Sequence, residues 1–221
     1  MAQTQLIDIY HALLERFGPQ HWWPGETEFE MMVGAVLTQN TNWGNVEKAL
    51  TNLKNAGLLT ADKIDKLPPQ RLAELVKPAG YFNIKAKRLK NLIHWLCATY
   101  DGNLDNLRPL SVDRLREELL SINGVGRETA DSIILYALKK PTFVVDAYTH
   151  RILSRHHLID REAGYEDIKE FCQSHLPEDV QLYNEFHALI VKLGKTYCKT
   201  RPQCPGCPLE GTPHTVEADE F

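Results

Sequence analysis

Hydrophobic side chains recur at helical spacing along almost the whole chain. The first stripe, in residues 4–17, consists of Leu6, Ile9, Tyr10, Leu13, Leu14 and Phe17. Similar segments predict helices at about 27–37, 42–56, 61–66, 70–77, 83–99, 111–120, 127–138, 147–156, 165–175 and 179–197. Strand-like character is confined to Thr142–Val145, which is too short and isolated to build a sheet. The pattern therefore predicts an all-α protein.

Length and charge limit the classes of protein that remain. A chain of 221 residues can form one large or two small domains with a real core. Its net charge of −4 argues against a uniformly basic protein that coats DNA. The basic run Lys85–Lys90 is a candidate local DNA face, although a solvated helix face is the commoner interpretation.

Neither a signal peptide nor an apolar run long enough for a membrane span is visible, so we expect a cytoplasmic protein. Five cysteines in a reducing compartment are not expected to form a disulfide framework.

A glycine-rich turn precedes the predicted helix at 127–138. In Ile122-Asn123-Gly124-Val125-Gly126, two glycines two residues apart predict a tight hairpin that opens this helix. Such a hairpin presents backbone N–H groups to an anion, and for DNA this is a sequence-independent grip on phosphate. An ordinary helix-turn-helix corner is the alternative. A single acid, Asp146, follows at the predicted start of the next helix.

Together these segments resemble the helix-hairpin-helix DNA glycosylase superfamily, in particular its endonuclease III branch. The resemblance covers most of the chain and rests on Leu37–Thr41, Gly80–Ala86, Ile122–Ala130, Asp146 with His150, and the C-terminal cysteines. It implies two helical domains with a DNA-binding cleft between them: a six-helix block at 22–134 that contains the hairpin, and a second domain from 1–21 plus 135–221. It also implies a monovalent cation at the hairpin and a monomer that acts on double-stranded DNA with damaged bases.

Asp146 is the candidate catalytic residue. Cleavage of an N-glycosidic bond leaves positive charge on the sugar, which a carboxylate stabilises while it orients or deprotonates water. Asp is also among the best helix N-caps, and capping is compatible with catalysis.

Glu128 departs from the pattern of the bifunctional members, which carry a lysine nucleophile at this position. A carboxylate cannot form a Schiff base, and the neighbouring Arg127 stays protonated. We therefore predict a monofunctional glycosylase without AP lyase activity.

Tryptophans suggest the substrate. Trp22, Trp23 and Pro24 precede the second helix, and Trp43 follows the Gln39-Asn40-Thr41 motif. Aromatic faces attract cationic rings such as 3-methyladenine, and this pattern with Glu128 resembles the 3-methyladenine DNA glycosylase subgroup. We predict a base pocket from these four residues and Glu128, although tryptophans more often serve as core or surface anchors.

Further residues are predicted to contact DNA. Gln39 resembles the side chain that fills the space left by a flipped base, with Asn40 in support; polar capping of a helix C-terminus is the alternative. The predicted DNA-binding set is Gln39, Asn40, Lys85, Ile122, Gly124, Val125, Gly126 and Arg127. His150 follows Asp146 by one helical turn, so the two side chains could interact. His187 is interpreted as an ordinary helical histidine.

The cysteines near the C-terminus have metal-ligand spacing. Cys198, Cys204 and Cys207 lie where many relatives bind a [4Fe-4S] cluster, but the fourth cysteine is missing and His214 is the candidate fourth ligand. A zinc site and a loop that binds no metal remain alternatives.

The sequence thus predicts a base excision repair glycosylase that excises alkylated purines, 3-methyladenine first. A mismatch glycosylase for adenine or thymine, and a non-catalytic DNA-binding module, are the alternatives.

Overall fold

A computed structural model describes residues 2–22 and 25–216, and every regular element within these ranges is helical. Two compact units divide the chain. The first combines the residues up to Trp22 with those from Pro141 onward, and the second comprises the intervening residues up to Lys140. Thr142–Val145 forms no strand. The predicted all-α fold is therefore confirmed.

Four helices form the first unit. They are α1 (Ala2–Phe17), α9 (Ala147–Arg155), α10 (Tyr165–His175) and α11 (Val180–Thr196). The stripe of α1 buries Leu6 and Leu13 completely, and α1 packs against α10 and α11. Helix α9 also packs against α11, which fixes the start of α9 beside a buried helix.

Among the described residues, the second unit contains seven α-helices. They are α2 (Glu28–Leu37), α3 (Trp43–Asn55), α4 (Ala61–Lys66), α5 (Pro69–Leu75), α6 (Phe82–Tyr100), α7 (Val112–Ser121) and α8 (Arg127–Ser132). Helix α6 packs against α2, α4 and α5, with Leu89, Leu92 and Ile93 fully buried. It therefore forms the centre of this unit.

Most helix ends match the sequence prediction because local capping sets them. Thr27 caps α2 by accepting a hydrogen bond from the Glu30 N–H, as its position before the apolar run predicts. The predicted helix at 127–138 instead changes pitch: after α8, residues Ile133–Ala137 form a π turn in which every residue is buried. Five consecutive apolar residues carry no periodic signal, so tertiary packing decides this pitch.

In the described part of the chain, no helix combines the length and apolar character needed to cross a membrane.

Candidate DNA-processing site

The predicted hairpin joins α7 to α8. The Val125 N–H donates to the Ile122 carbonyl at 3.0 Å and closes the turn. The side chains of Ile122 and Val125 are buried, so this turn offers its backbone rather than these side chains to a partner. Gly126 caps α8, and a Cβ there would meet no atom within 4 Å. The hairpin thus leaves open space beside its backbone N–H groups, as close approach of a phosphate requires.

Gly124 is required by both its backbone and its surroundings. Its φ of +99° lies in the region that favours glycine, and a Cβ would clash with the Arg88 side chain, 2.9 Å from Cβ and 3.0 Å from Cδ. Asn91, also on α6, donates to the Asn123 carbonyl at 2.9 Å. Helix α6 therefore supports the hairpin directly.

Gln39 connects α2 to the hairpin. Its Nε2 donates to the Gly124 carbonyl at 3.1 Å and to Thr129 Oγ1 at 3.0 Å, while Arg88 donates to its Oε1 at 2.5 Å. Both ends of the amide are therefore engaged within the protein, and Thr38 rather than Gln39 caps α2. The predicted insertion of Gln39 into DNA requires this network to open and stays a prediction.

Lys85 does not lie on an exposed basic face, and that part of the sequence interpretation is wrong. The side chain is buried, and its ammonium donates to the Leu37 carbonyl at 2.8 Å and to the Ala79 carbonyl at 2.6 Å. Burial and, next, the charge of Arg88 lower the pKa of Lys85. The lysine caps the C-terminus of α2, where the helix dipole favours a cation.

Three further residues of the predicted DNA-binding and base-pocket sets are exposed. Arg127 and Glu128 occupy the first turn of α8, and Asn40 follows α2 with φ +54°. These three side chains lie at the surface of the second unit, and their roles in DNA or base binding stay predictions.

An exposed apolar patch on α6 was missed by the sequence analysis. Tyr81 is 68% exposed and has φ 44°, which is strained for a bulky residue, and Ile84 is 52% exposed. At helical spacing they share a face with Arg88 and Asn91, which contact the hairpin. Positive φ at Tyr81 cannot be read from its sequence neighbours, so no local signal marks this patch.

Asp146 is the N-cap of α9. Its Oδ1 accepts hydrogen bonds from the Thr149 N–H at 2.7 Å and from Thr149 Oγ1 at 2.9 Å. Its Oδ2 lies 3.6 Å from Nε2 of His187, and the Asp146 side chain is 13% exposed. Capping thus fixes Oδ1, whereas Oδ2 faces His187.

The pKa of Asp146 is set by opposing effects. Burial raises it most, but the imidazole of His187 and the two hydrogen bonds from Thr149 together lower the pKa below its ordinary value. Asp146 is therefore a carboxylate at neutral pH, as stabilisation of a positively charged sugar requires.

Trp22 and His187 lie together in the first unit. Their rings meet edge to face with centroids 6.5 Å apart. Trp22 Nε1 is buried and has no hydrogen-bond acceptor among the described residues. Trp23 and Pro24 lie outside the described residues. His187 was not predicted, because 41 residues separate it from Asp146 and only tertiary packing joins them.

Trp43 packs on the second unit's own backbone. Its ring lies over Gly34 of α2, where a Cβ would come within 2.8 Å of Cη2. Trp43 thus has a packing role, and its predicted role in a base pocket stays a prediction.

The C-terminal cysteines share one small cavity. Cys198, Cys204, Cys207 and His214 line it, and its volume is about 20 Å³, room for about one water molecule. Within the described ranges, no three His, Cys, Asp or Glu side chains are grouped closely enough to hold a metal ion. The residues as arranged therefore do not fit a zinc ion or a [4Fe-4S] cluster.

Arg155 organises this loop instead. It is buried, and its guanidinium donates to the carbonyls of Lys199 at 2.6 Å and Thr200 at 2.7 Å and to Cys198 Sγ at 3.3 Å. The cysteine loop is thus held by an internal cation.

One unit carries a glycine hairpin with open space at Gly126, and the other carries a largely buried acid at a helix N-terminus. The chain belongs to the HhH-GPD superfamily of base excision DNA repair proteins, whose family model matches residues 33–178. It is therefore a DNA glycosylase of base excision repair, and DNA is its partner.

Relatives agree with this membership. A Methanocaldococcus jannaschii protein named "Putative DNA repair glycosylase MJ1434" is 50% identical over 93% of this chain and 94% of its own. Endonuclease III of Thermotoga maritima is 31% identical over 92% of this chain and 89% of its own.

Two solved structures extend the comparison. H. pylori 3-methyladenine DNA glycosylase (MagIII) bound to 1,N6-ethenoadenine has a TM-score of 0.74 and 32% identity, covering 88% of this chain and 97% of its own. A non-covalent endonuclease III–DNA complex has a TM-score of 0.80 over 95% of this chain and 94% of its own, and at 22% identity it supports the fold alone.

Proposed function

We propose that this protein is a monofunctional DNA glycosylase that excises alkylated purines, 3-methyladenine first. The observation that carries the proposal is Asp146: a largely buried carboxylate with Oδ1 fixed by Thr149 and Oδ2 3.6 Å from Nε2 of His187. An ionised, rigid acid stabilises positive charge at C1′ and orients the attacking water.

The substrate class rests on two supports. The chain is 32% identical to a protein named 3-methyladenine DNA glycosylase. Trp22, beside His187, offers an aromatic ring and a buried N–H without an acceptor among the described residues. An aromatic ring attracts the positive charge of an alkylated purine, whose glycosidic bond is already weakened.

Glu128 supports the absence of AP lyase activity. In the first turn of α8 it supplies a carboxylate where a Schiff-base mechanism needs an amine. We further propose that the protein acts as a monomer.

Base release tests the reaction and its substrate. Methylated duplex DNA is incubated with the wild type and with Asp146→Asn, and released bases are separated by chromatography. We expect free 3-methyladenine from the wild type and a loss of at least about 10³-fold in the variant, since an amide cannot replace the carboxylate charge. DNA binding by the variant should persist. Release of adenine or thymine from mispairs, with none from methylated DNA, would favour the mismatch enzyme.

Borohydride trapping tests the lyase prediction. The wild type should give no covalent adduct with DNA that contains an abasic site, whereas Glu128→Lys should give one if residue 128 faces C1′. Glu128→Gln is the matched control, because it removes the charge without adding an amine. A wild-type adduct with strand cleavage would overturn the monofunctional assignment.

A further inference from the structure

The two oxygens of Asp146 have different surroundings. Oδ1 accepts both bonds from Thr149, while Oδ2 faces Nε2 of His187 at 3.6 Å. The two side chains are 13% and 8% exposed. A carboxylate removed from water becomes protonated unless a donor or a positive charge compensates. The state of Oδ2 therefore depends on His187.

The position of His187 is closely constrained. It lies within α11 between buried Phe186 and Ala188, and Trp22 packs edge to face against its ring. The imidazole is buried, with Nε2 directed at Oδ2 of Asp146. The distance of 3.6 Å is longer than a hydrogen bond, and a small movement on DNA binding would close it, since catalytic hydrogen bonds are often long in free enzymes.

We propose that His187 is a positioning residue for glycosidic bond hydrolysis, which holds Oδ2 of Asp146 ionised and aimed while Thr149 holds Oδ1. This inference rests on the proposed function of Asp146 as the catalytic carboxylate. It adds a residue of α11 to a site otherwise formed by the first turn of α9. One oxygen of Asp146 is thus held by Thr149 of α9 and the other by His187 of α11.

The groups that surround Asp146 determine how the loss of His187 should change the pKa of Asp146. His187 faces it from α11, and Thr149 of α9 contributes an N–H and a hydroxyl. On α10, the Tyr165 hydroxyl lies 3.5 Å from the neighbouring Val145 N–H. Burial is the effect that raises the pKa of Asp146, so loss of His187 should raise that pKa. Activity requires the carboxylate, and the acid limb of the pH profile should therefore move to higher pH.

Two variants at residue 187 separate positioning from packing. His187→Phe keeps a ring but removes the N–H, whereas His187→Gln brings an amide N–H toward the position of Nε2. Phe186→Leu is the matched control. Phe186 lies on the same helix as His187 and packs against Tyr10 and Phe143, so the substitution perturbs buried packing but removes no partner of Asp146.

The first measurement needs no substrate. Carbon-13 NMR of protein labelled at the aspartate carboxyls follows Asp146 through a pH titration, and Asp146→Asn assigns its signal. We expect a higher pKa of Asp146 in His187→Phe, partial return in His187→Gln and no change in Phe186→Leu. An unchanged pKa in His187→Phe, or an equal rise in Phe186→Leu, would overturn the proposal.

The second measurement is single-turnover base release from methylated duplex DNA. His187→Phe should be slower by on the order of 10-fold to 100-fold at neutral pH, with an acid limb at higher pH and unchanged DNA affinity. Loss of stability without movement of the limb would assign His187 a structural role only. If the wild type releases no base, the proposed function fails, and the NMR titration still decides whether His187 controls Asp146.

Discussion

Two loops of this protein are each held by an arginine, with different consequences. In the hairpin, Arg88 packs on Gly124 and binds Gln39, which in turn binds the Gly124 carbonyl. In the cysteine loop, Arg155 binds the carbonyls of Lys199 and Thr200 directly. The hairpin network supports the turn from behind and leaves open space at Gly126, whereas Arg155 fills its loop from within. The first arrangement leaves the hairpin backbone accessible, and the second fixes the loop through its own carbonyl groups.

Gly124→Ala should have the largest effect of these substitutions, because it distorts the hairpin. Backbone strain at positive φ and the clash with Arg88 together should cost about 3–4 kcal/mol of unfolding free energy. Denaturant unfolding measures this, and the affinity for undamaged duplex DNA should fall in parallel. Gly126→Ala is the control for stability, since a Cβ there meets no atom within 4 Å. Equal losses of unfolding free energy in both variants would refute the steric account.

Arg155→Met removes the hydrogen bonds that hold the cysteine loop. Methionine fills part of the buried volume but leaves two carbonyls without their donor, which should cost about 2 kcal/mol. The fall in the denaturant midpoint measures this cost. Lys192→Met, at an exposed position of α11, is the control. A stable Arg155→Met protein would show that something other than this arginine holds the loop.

Gln39→Ala tests whether the amide braces the hairpin. Loss of its bonds to Gly124 and Thr129 should cost about 1–2 kcal/mol and increase amide hydrogen exchange at the hairpin. Gln39→Glu is the partner variant: it keeps the acceptor for Arg88 and loses both donated bonds. Unchanged exchange in both variants would leave Gln39 with a role in DNA alone.

Cys204→Ser should have the smallest effect, and it tests whether the cysteine loop ligates a metal. Because no three described His, Cys, Asp or Glu side chains are grouped closely enough to ligate a metal, the substitution should change the unfolding free energy by no more than about 0.5 kcal/mol. Elemental analysis of the purified wild type should find iron and zinc far below one atom per chain. A stoichiometric metal, lost in Cys204→Ser, would contradict the fit of the cavity described above.

Local sequence was sufficient to predict the helices, the hairpin and the catalytic candidate. Apolar spacing placed α6 within one residue at each end, because helix formation depends on local periodicity and caps. Gly124 and Asp146 were visible for the same reason: a tight turn and an N-cap each depend on residues close in the chain.

Tertiary structure alone decided the partners of charged and polar side chains. Lys85 looked like part of a solvated basic run, yet it caps α2 from 48 residues away, and His187 reaches Asp146 across 41 residues. The same sequence signal, a cation or an imidazole on a helix, fits a surface, a buried cap or a catalytic partner. Which one applies depends on the desolvation and geometry that packing imposes, and neither is encoded in local spacing.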